Sequence, residues 1–283
     1  MESTCSLPRM CLLKGLLMIK MDVKIDSLIL HQTVDIKVAL PCSILNLGKR
    51  FKSVLALHCA MSTADIFFDR LAMLDYVEEY KIAVIAPSIP NNTFFVNSTL
   101  GRYGDFLDKE MMPLLRNILP VSGKREDNTV LGISMGAYGA LSMILRKPDA
   151  FSNVVAISGY YDQALPFDKE LGADKNTFAV ANIIQPYMSE IFKQSYNESP
   201  DDLILKLRSY QYSDPTRFMF YSEKNDPLSV SQTKRLYKIA RDCNLSASYK
   251  EGYGKHDVSA WKSSIKDAMA NIHGSRKCRS KAH

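Results

Sequence analysis

The chain has no run of about 20 apolar residues, the length a helix needs to cross a bilayer. Its best candidate stretch, Met10–Ile19, is interrupted by Lys14 and leads to no clear small-residue cleavage site. Neither a membrane anchor nor an export signal is expected from such a segment. Cysteine pattern is also missing. Of six cysteines, Cys5 and Cys11 lie near the start and Cys278 near the end, while Cys42, Cys59 and Cys243 stand far apart with no Cys-x-x-Cys. That spacing provides no disulfide framework, redox pair or zinc site. A reducing cytoplasm is the expected location, and no structural metal is expected.

Positive charge is scarce in the body of the chain. The net charge is +6, but the first twenty residues carry +2 and the last ten carry +4, leaving residues 21–273 neutral. A surface that binds nucleic acid must neutralise phosphates, and this body has no basic surplus to do so. Four charges on a tail without interleaved aromatics read as a solvated terminus, so no nucleic-acid partner is expected. Residues 1–20 are expected to lie outside the fold and 274–283 to form a basic tail. What remains, with 46% apolar and 23% charged residues overall, is an ordinary globular composition. A body of this size can bury a core without staples.

Within it, Val34, Ile36, Val38 and Leu40 alternate with polar residues, the pattern of a half-buried strand. Val23–Ile29 is expected to pair with it in antiparallel fashion. The pattern then shifts to nearly continuous apolar runs: Val54–Leu57, Ile82–Ala86, Thr129–Leu131, Val154–Ile157 and Phe218–Tyr221. Such runs mark strands covered on both faces, as in a parallel sheet. Helices are expected over Asp65–Tyr80, Asp105–Leu115, Met135–Arg146, Ser229–Cys243 and Ser259–Ile272. Strands alternating with helices give an α/β fold with its functional groups at the carboxyl ends of the strands. Residues 160–214, rich in tyrosine and phenylalanine, break the rhythm and are expected to form a cap-like insertion over that face.

One motif carries chemistry. Gly132-Ile133-Ser134-Met135-Gly136 follows an apolar strand and opens a helix, the setting in which G-x-S-x-G presents a nucleophilic serine on a sharp turn. Five histidines compete for the role of base: His31, His58, His256, His273 and His283. The chain order Ser, acid, His excludes the first two. His273 ends the last helix and His283 ends the tail, which leaves His256, in a Gly-rich loop after the strand-like Ser246–Tyr249. The acid should follow the strand Phe218–Tyr221. Asp226 is the candidate and Glu223 its local competitor, while Asp257 adjoins His256 and neighbouring side chains diverge. Ser134 would attack an acyl carbonyl, His256 would take its proton, and Asp226 would hold the imidazole tautomer. The oxyanion donors are expected to be the N–H of Met135 and, in the loop after Leu57, the N–H of Ala60.

These residues resemble the esterase D-like α/β-hydrolases, a family that includes bacterial tributyrin and acetyl esterases. The resemblance runs from about Val23 to Ile272. It is carried by Lys124-Arg125-Glu126-Asp127, by Gly132 to Leu141, by Phe151 to Gly159, and by Gly254-Lys255-His256 with Trp261 on the next helix. It implies an α/β-hydrolase fold with a mostly parallel sheet, the triad Ser134, Asp226 and His256, and hydrolysis of short acyl esters without a cofactor, sometimes from acetylated sugars. Relatives act on S-formylglutathione or feruloyl esters or transfer acyl groups. An S-formylglutathione-type thioesterase is therefore the alternative substrate reading, and a hydrolase-fold binding protein with impaired catalysis is the alternative in kind. A small-molecule ester is the expected partner, and a homo-oligomer is compatible with the sequence. Two positions depart from the family: its His-Gly loop reads His58-Cys59 here, and Ala137 follows Gly136 in place of a second glycine. Were Cys59 held in a left-handed backbone, its side chain would cost about 1–2 kcal/mol. His58 and Cys59 are candidate substrate contacts, although a histidine at a buried strand end is more often structural. Trp261 either lines the pocket or packs in the core.

Overall fold

The computed structural model describes residues 18–41, 48, 50–90, 93–161 and 203–274. Ten strands are β1 (Met18–Ser27), β2 (Gln32–Pro41), β3 (Lys52–Leu57), β4 (Ile82–Pro87), β5 (Asn97–Ser98), β6 (Gly101–Arg102), β7 (Asn128–Ile133), β8 (Asn153–Ile157), β9 (Arg217–Glu223) and β10 (Ser246–Gly252). Apart from the small β5–β6 hairpin, they form one sheet in the order β1-β2-β4-β3-β7-β8-β9-β10. The β1–β2 and β2–β4 pairs are antiparallel, and every pair from β4 to β10 is parallel.

The continuous apolar runs are buried on both faces. Val130, Val154, Ala156, Phe218 and Phe220 face a core layer completed by the helix Met135–Arg146 and the helical stretch around Phe106–Leu115. Their alternates Leu131, Ile133, Val155, Ile157, Met219 and Tyr221 face the other layer, with Phe67, Val77, Trp261 and Ile265. One strand feeding two cores leaves no polar face, so periodicity two disappears from its sequence.

Several boundaries differ from expectation. The first strand begins at Met18, not near Val23, because Met18, Ile19 and Lys20 pair with Pro41, Leu40 and Ala39. The stretch assigned to an extension therefore contributes three residues to the sheet. At the other end of β1, Leu28 and Ile29 belong to the turn, where His31 has φ 53°. The helix expected over Asp65–Tyr80 is two helices, Asp65–Asp69 and Met73–Tyr80. Ala72 between them takes a left-handed backbone, φ 56° and ψ 28°, which a continuous helix does not permit. Of the expected insertion, Tyr160 and Tyr161 are buried and the helix Leu203–Ser209 packs Leu203 and Leu207 into the first core. The rest of that expected insertion, residues 162–202, lies outside the described residues, as do residues 1–17 and 275–283. Among the described residues no helix is long and apolar enough to cross a membrane.

The start of β7, the strand that delivers Ser134, is anchored by polar side chains. Asn128 is fully buried. Its Oδ1 accepts from Ser53 Oγ at 2.6 Å, and its Nδ2 donates to the carbonyls of Ser122 (3.0 Å) and Lys124 (2.7 Å). Arg125 ties the same corner to the approach to β9, donating to the Pro148 carbonyl and to Thr216 Oγ1, each at 2.6 Å. The motif Lys124 to Asp127 is thus an anchor and not part of the chemistry. Asn128→Ala would remove three hydrogen bonds, two of them to the buried Ser53 and Ser122. We expect it to lower unfolding free energy by about 2–4 kcal/mol, read as a lower urea midpoint at unchanged slope.

Candidate active site

The turn from β7 into the helix Met135–Arg146 places Ser134 at φ 53° and ψ −113°. This conformation is sparsely populated for a residue with a side chain and costs on the order of 1–3 kcal/mol. It is held by packing. The Ser134 N–H donates to the Ile157 carbonyl at 2.8 Å, locking the turn to β8. A Cβ on Gly132 would lie 1.9 Å from the Gly136 carbonyl oxygen, and one on Gly136 would lie 2.0 Å from that of Leu57. Backbone fills the space that side chains would need, so the glycines permit the strained turn to close against β3. The same turn frees the Met135 N–H, because the first amides of a helix have no partner within it.

The acid loop leaves β9 and turns back at once: the Asp226 N–H donates to the Glu223 carbonyl at 2.9 Å. Asp226 is fully buried. Its Oδ1 accepts from the Leu228 N–H at 3.0 Å, and its Oδ2 accepts from Ser229 Oγ at 2.5 Å and from His256 Nδ1 at 2.8 Å. Nε2 of the same imidazole stands 3.0 Å from Ser134 Oγ. With Nδ1–H donating to the carboxylate, Nε2 is left as an acceptor for the serine hydroxyl. Burial pulls the His256 pKa down, but the carboxylates of Asp226, Glu223 and Asp257 override it, and the imidazole sits above its ordinary 6.5.

The structure brings Ser134, His256 and Asp226 together and leaves the other acids elsewhere. Glu223 directs its carboxyl to Ser158 and Ser264, and burial pushes it up to about 7. Asp257 caps the helix Val258–His273, accepting from the Ala260 N–H at 3.0 Å. Ser158 and Ser264 escape sequence reasoning, since a serine past a strand end or on a helix face has no signature of its long-range partner.

Around the nucleophile, two expected contacts turn inward. His58 is fully buried. Its Nε2 accepts from the Ile89 N–H at 3.2 Å, so Nδ1 carries the proton and donates to the Cys59 carbonyl at 2.8 Å. Burial lowers its pKa to about 4, and the neutral ring braces the loop after β3. Cys59 packs in the second core, and burial raises its thiol to about 11, so it is no nucleophile near neutral pH. Nor does Cys59 carry backbone strain: the left-handed residue of this loop is Met61, at φ 56°. Ala60 is half-buried between them. Trp261 packs in the core, and its ring meets that of His256 edge-on at 5.0 Å.

The comparisons agree with this architecture. The model of the Esterase family ("Putative esterase") matches residues 30–272. An acetyl esterase of Caldicellulosiruptor saccharolyticus is 28% identical over 197 residues, covering 67% of this chain and 71% of the relative. Among solved structures, an S-formylglutathione hydrolase (FrmB) of Staphylococcus aureus superposes with TM-score 0.70 at 25% identity, covering 90% of this chain and 98% of its own. FphF, a fluorophosphonate-binding serine hydrolase of the same organism, superposes with TM-score 0.74 at 22% identity, covering 91% and 99%. The chain belongs to the Esterase family and is a carboxylic ester hydrolase of the α/β-hydrolase fold.

Proposed function

We propose that the chain is a serine esterase for short acyl groups, acetyl foremost, working through Ser134, His256 and Asp226. The observation that carries the reading is the unbroken hydrogen-bonded line from buried carboxylate to imidazole to strained serine, 2.8 Å and then 3.0 Å. His256 Nε2 takes the Ser134 proton as Oγ attacks the acyl carbon, and Asp226 stabilises the imidazolium that results. His256 then returns the proton to the leaving alcohol, and water repeats the sequence on the acyl-enzyme. The N–H groups of Met135 and Ala60 are the donors for the oxyanion.

Similarity to an acetyl esterase supports acetyl esters, and acetylated carbohydrate is the substrate class proposed within them. The neutral body of the chain supports an uncharged ester, because it provides no field to steer a strongly charged one. The 25% identity to an S-formylglutathione hydrolase favours one second reading, a glutathione thioesterase. Comparing kcat/KM for p-nitrophenyl acetate, p-nitrophenyl butyrate and a glutathione thioester ranks the two. The free thiols of Cys59 and Cys243 support a cytoplasmic setting.

A fluorophosphonate probe should label the protein, and Ser134→Ala should abolish the label with the fold intact; a folded wild type that stays unlabelled sinks the triad. Asp226→Asn should lower kcat by about 10⁴-fold, since the amide would hold the wrong imidazole tautomer. His256 must be neutral to act as base, and its pKa is raised. Activity is therefore full at alkaline pH and is lost as pH falls, with the acid limb of kcat/KM above 6.5, the ordinary histidine value.

A further inference from the structure

A second carboxyl lies behind the triad, and the mechanism does not use it. Glu223 ends β9 and is fully buried. Both its oxygens are taken by hydroxyls from different elements: Oε2 accepts from Ser158 Oγ, just past β8, and Oε1 accepts from Ser264 Oγ, on the helix Val258–His273, at 3.2 Å. Ser158 is itself held in place for this, with a left-handed backbone (φ 49°) and its N–H donating to the Tyr221 carbonyl at 2.9 Å. The Glu223 carbonyl also anchors the turn that presents Asp226. One residue thus joins the end of β8, the acid loop and the helix behind the His256 loop.

The charges facing this carboxyl explain what such a placement does. Asp226 lies three residues on and opposes its ionisation, while His256 favours it; the Tyr161 and Tyr249 hydroxyls face it from beyond β8 and from β10. Asp257 acts on His256 from the start of the next helix. Two hydroxyl donors compensate a buried carboxylate only partly. The cation that completes the compensation is the His256 imidazolium, which exists while the serine proton is in transit.

We propose that Glu223 is a positioning residue of the active site, a second buried carboxylate that favours the His256 imidazolium and so sets the pH range in which Ser134 is activated. It rests on the reading of His256 as base. Glu223 exchanges no proton with substrate; the serine proton still moves between Oγ, Nε2 and the leaving group. Burial pushes Glu223 up to about 7, and its carboxylate and the charged His256 favour one another.

The test is the pH profile of kcat/KM for the full chain. Glu223→Gln keeps the shape and removes the charge. It should move the acid limb to lower pH by about one unit, with the alkaline plateau falling by no more than about tenfold, the same unit expressed as a rate. Ser264→Ala removes one donor, leaves the carboxyl harder to ionise, and should move the limb the same way by less. It serves alone if Glu223→Gln does not fold. A folded Glu223→Gln or Ser264→Ala whose limb coincides with that of the wild type overturns the proposal. Ser134→Ala and His256→Ala separate the two readings. If either stays active the triad itself is wrong, whereas if both are dead and the limb does not move, only the role of Glu223 fails.

Discussion

The backbone of Ser134 is the constraint on which the site depends. A serine at φ 53° and ψ −113° is not stable by itself, and nothing local relieves it. Relief comes from three parallel strands at once. β7 supplies the turn, β8 takes the Ser134 N–H through Ile157, and β3 closes its Leu57 carbonyl against Gly136. Because the neighbouring atoms are backbone, the turn cannot relax by rotating a side chain. The strain is distributed into the centre of a sheet buried on both faces, where displacement would open both cores.

The second constraint is electrostatic, and it separates two acids three residues apart. Asp226 and Glu223 are both fully buried, yet only Asp226 has a backbone N–H, a hydroxyl and an imidazole N–H all donating to it. Glu223 has two hydroxyls and a like charge nearby. Burial and that like charge push the Glu223 carboxyl up to about 7. The two buried acids differ in donor number: three groups donate to Asp226 and two to Glu223.

How much of this could be read from the chain follows from the range of each interaction. The sheet was legible because β7, β8 and β9 bury every residue from Val130 to Ile133, Val154 to Ile157 and Phe218 to Tyr221, leaving runs that no amphipathic helix would show. Ser134 was legible because its glycines are required within two residues on either side. His256 is the one of five histidines left when chain order excludes His31 and His58 and placement sets aside His273 and His283. The break at Ala72 was not legible, since alanine is a good helix former and gives no warning of a left-handed turn. The inward orientation of His58 was also hidden, because it depends on the Ile89 amide, 31 residues away. The Ser158–Glu223–Ser264 cluster spans separations of 65 and 41 residues. Its members are individually unremarked polar residues until the sheet order brings them together.

The acid and base loops are coupled to each other more tightly than either is to the nucleophile. The Lys224 N–H donates to the Gly252 carbonyl at 2.9 Å and the Asn225 N–H to that of Gly254 at 3.1 Å, so the loops after β9 and β10 form one hydrogen-bonded unit. The imidazole reaches Ser134 through the single 3.0 Å contact at Nε2. In the proposed mechanism His256 first receives a proton from the serine and then delivers it to a leaving group, and this asymmetry suits that role. Its tautomer is fixed from behind by a rigid pair of loops, and its working nitrogen remains able to exchange partners in front.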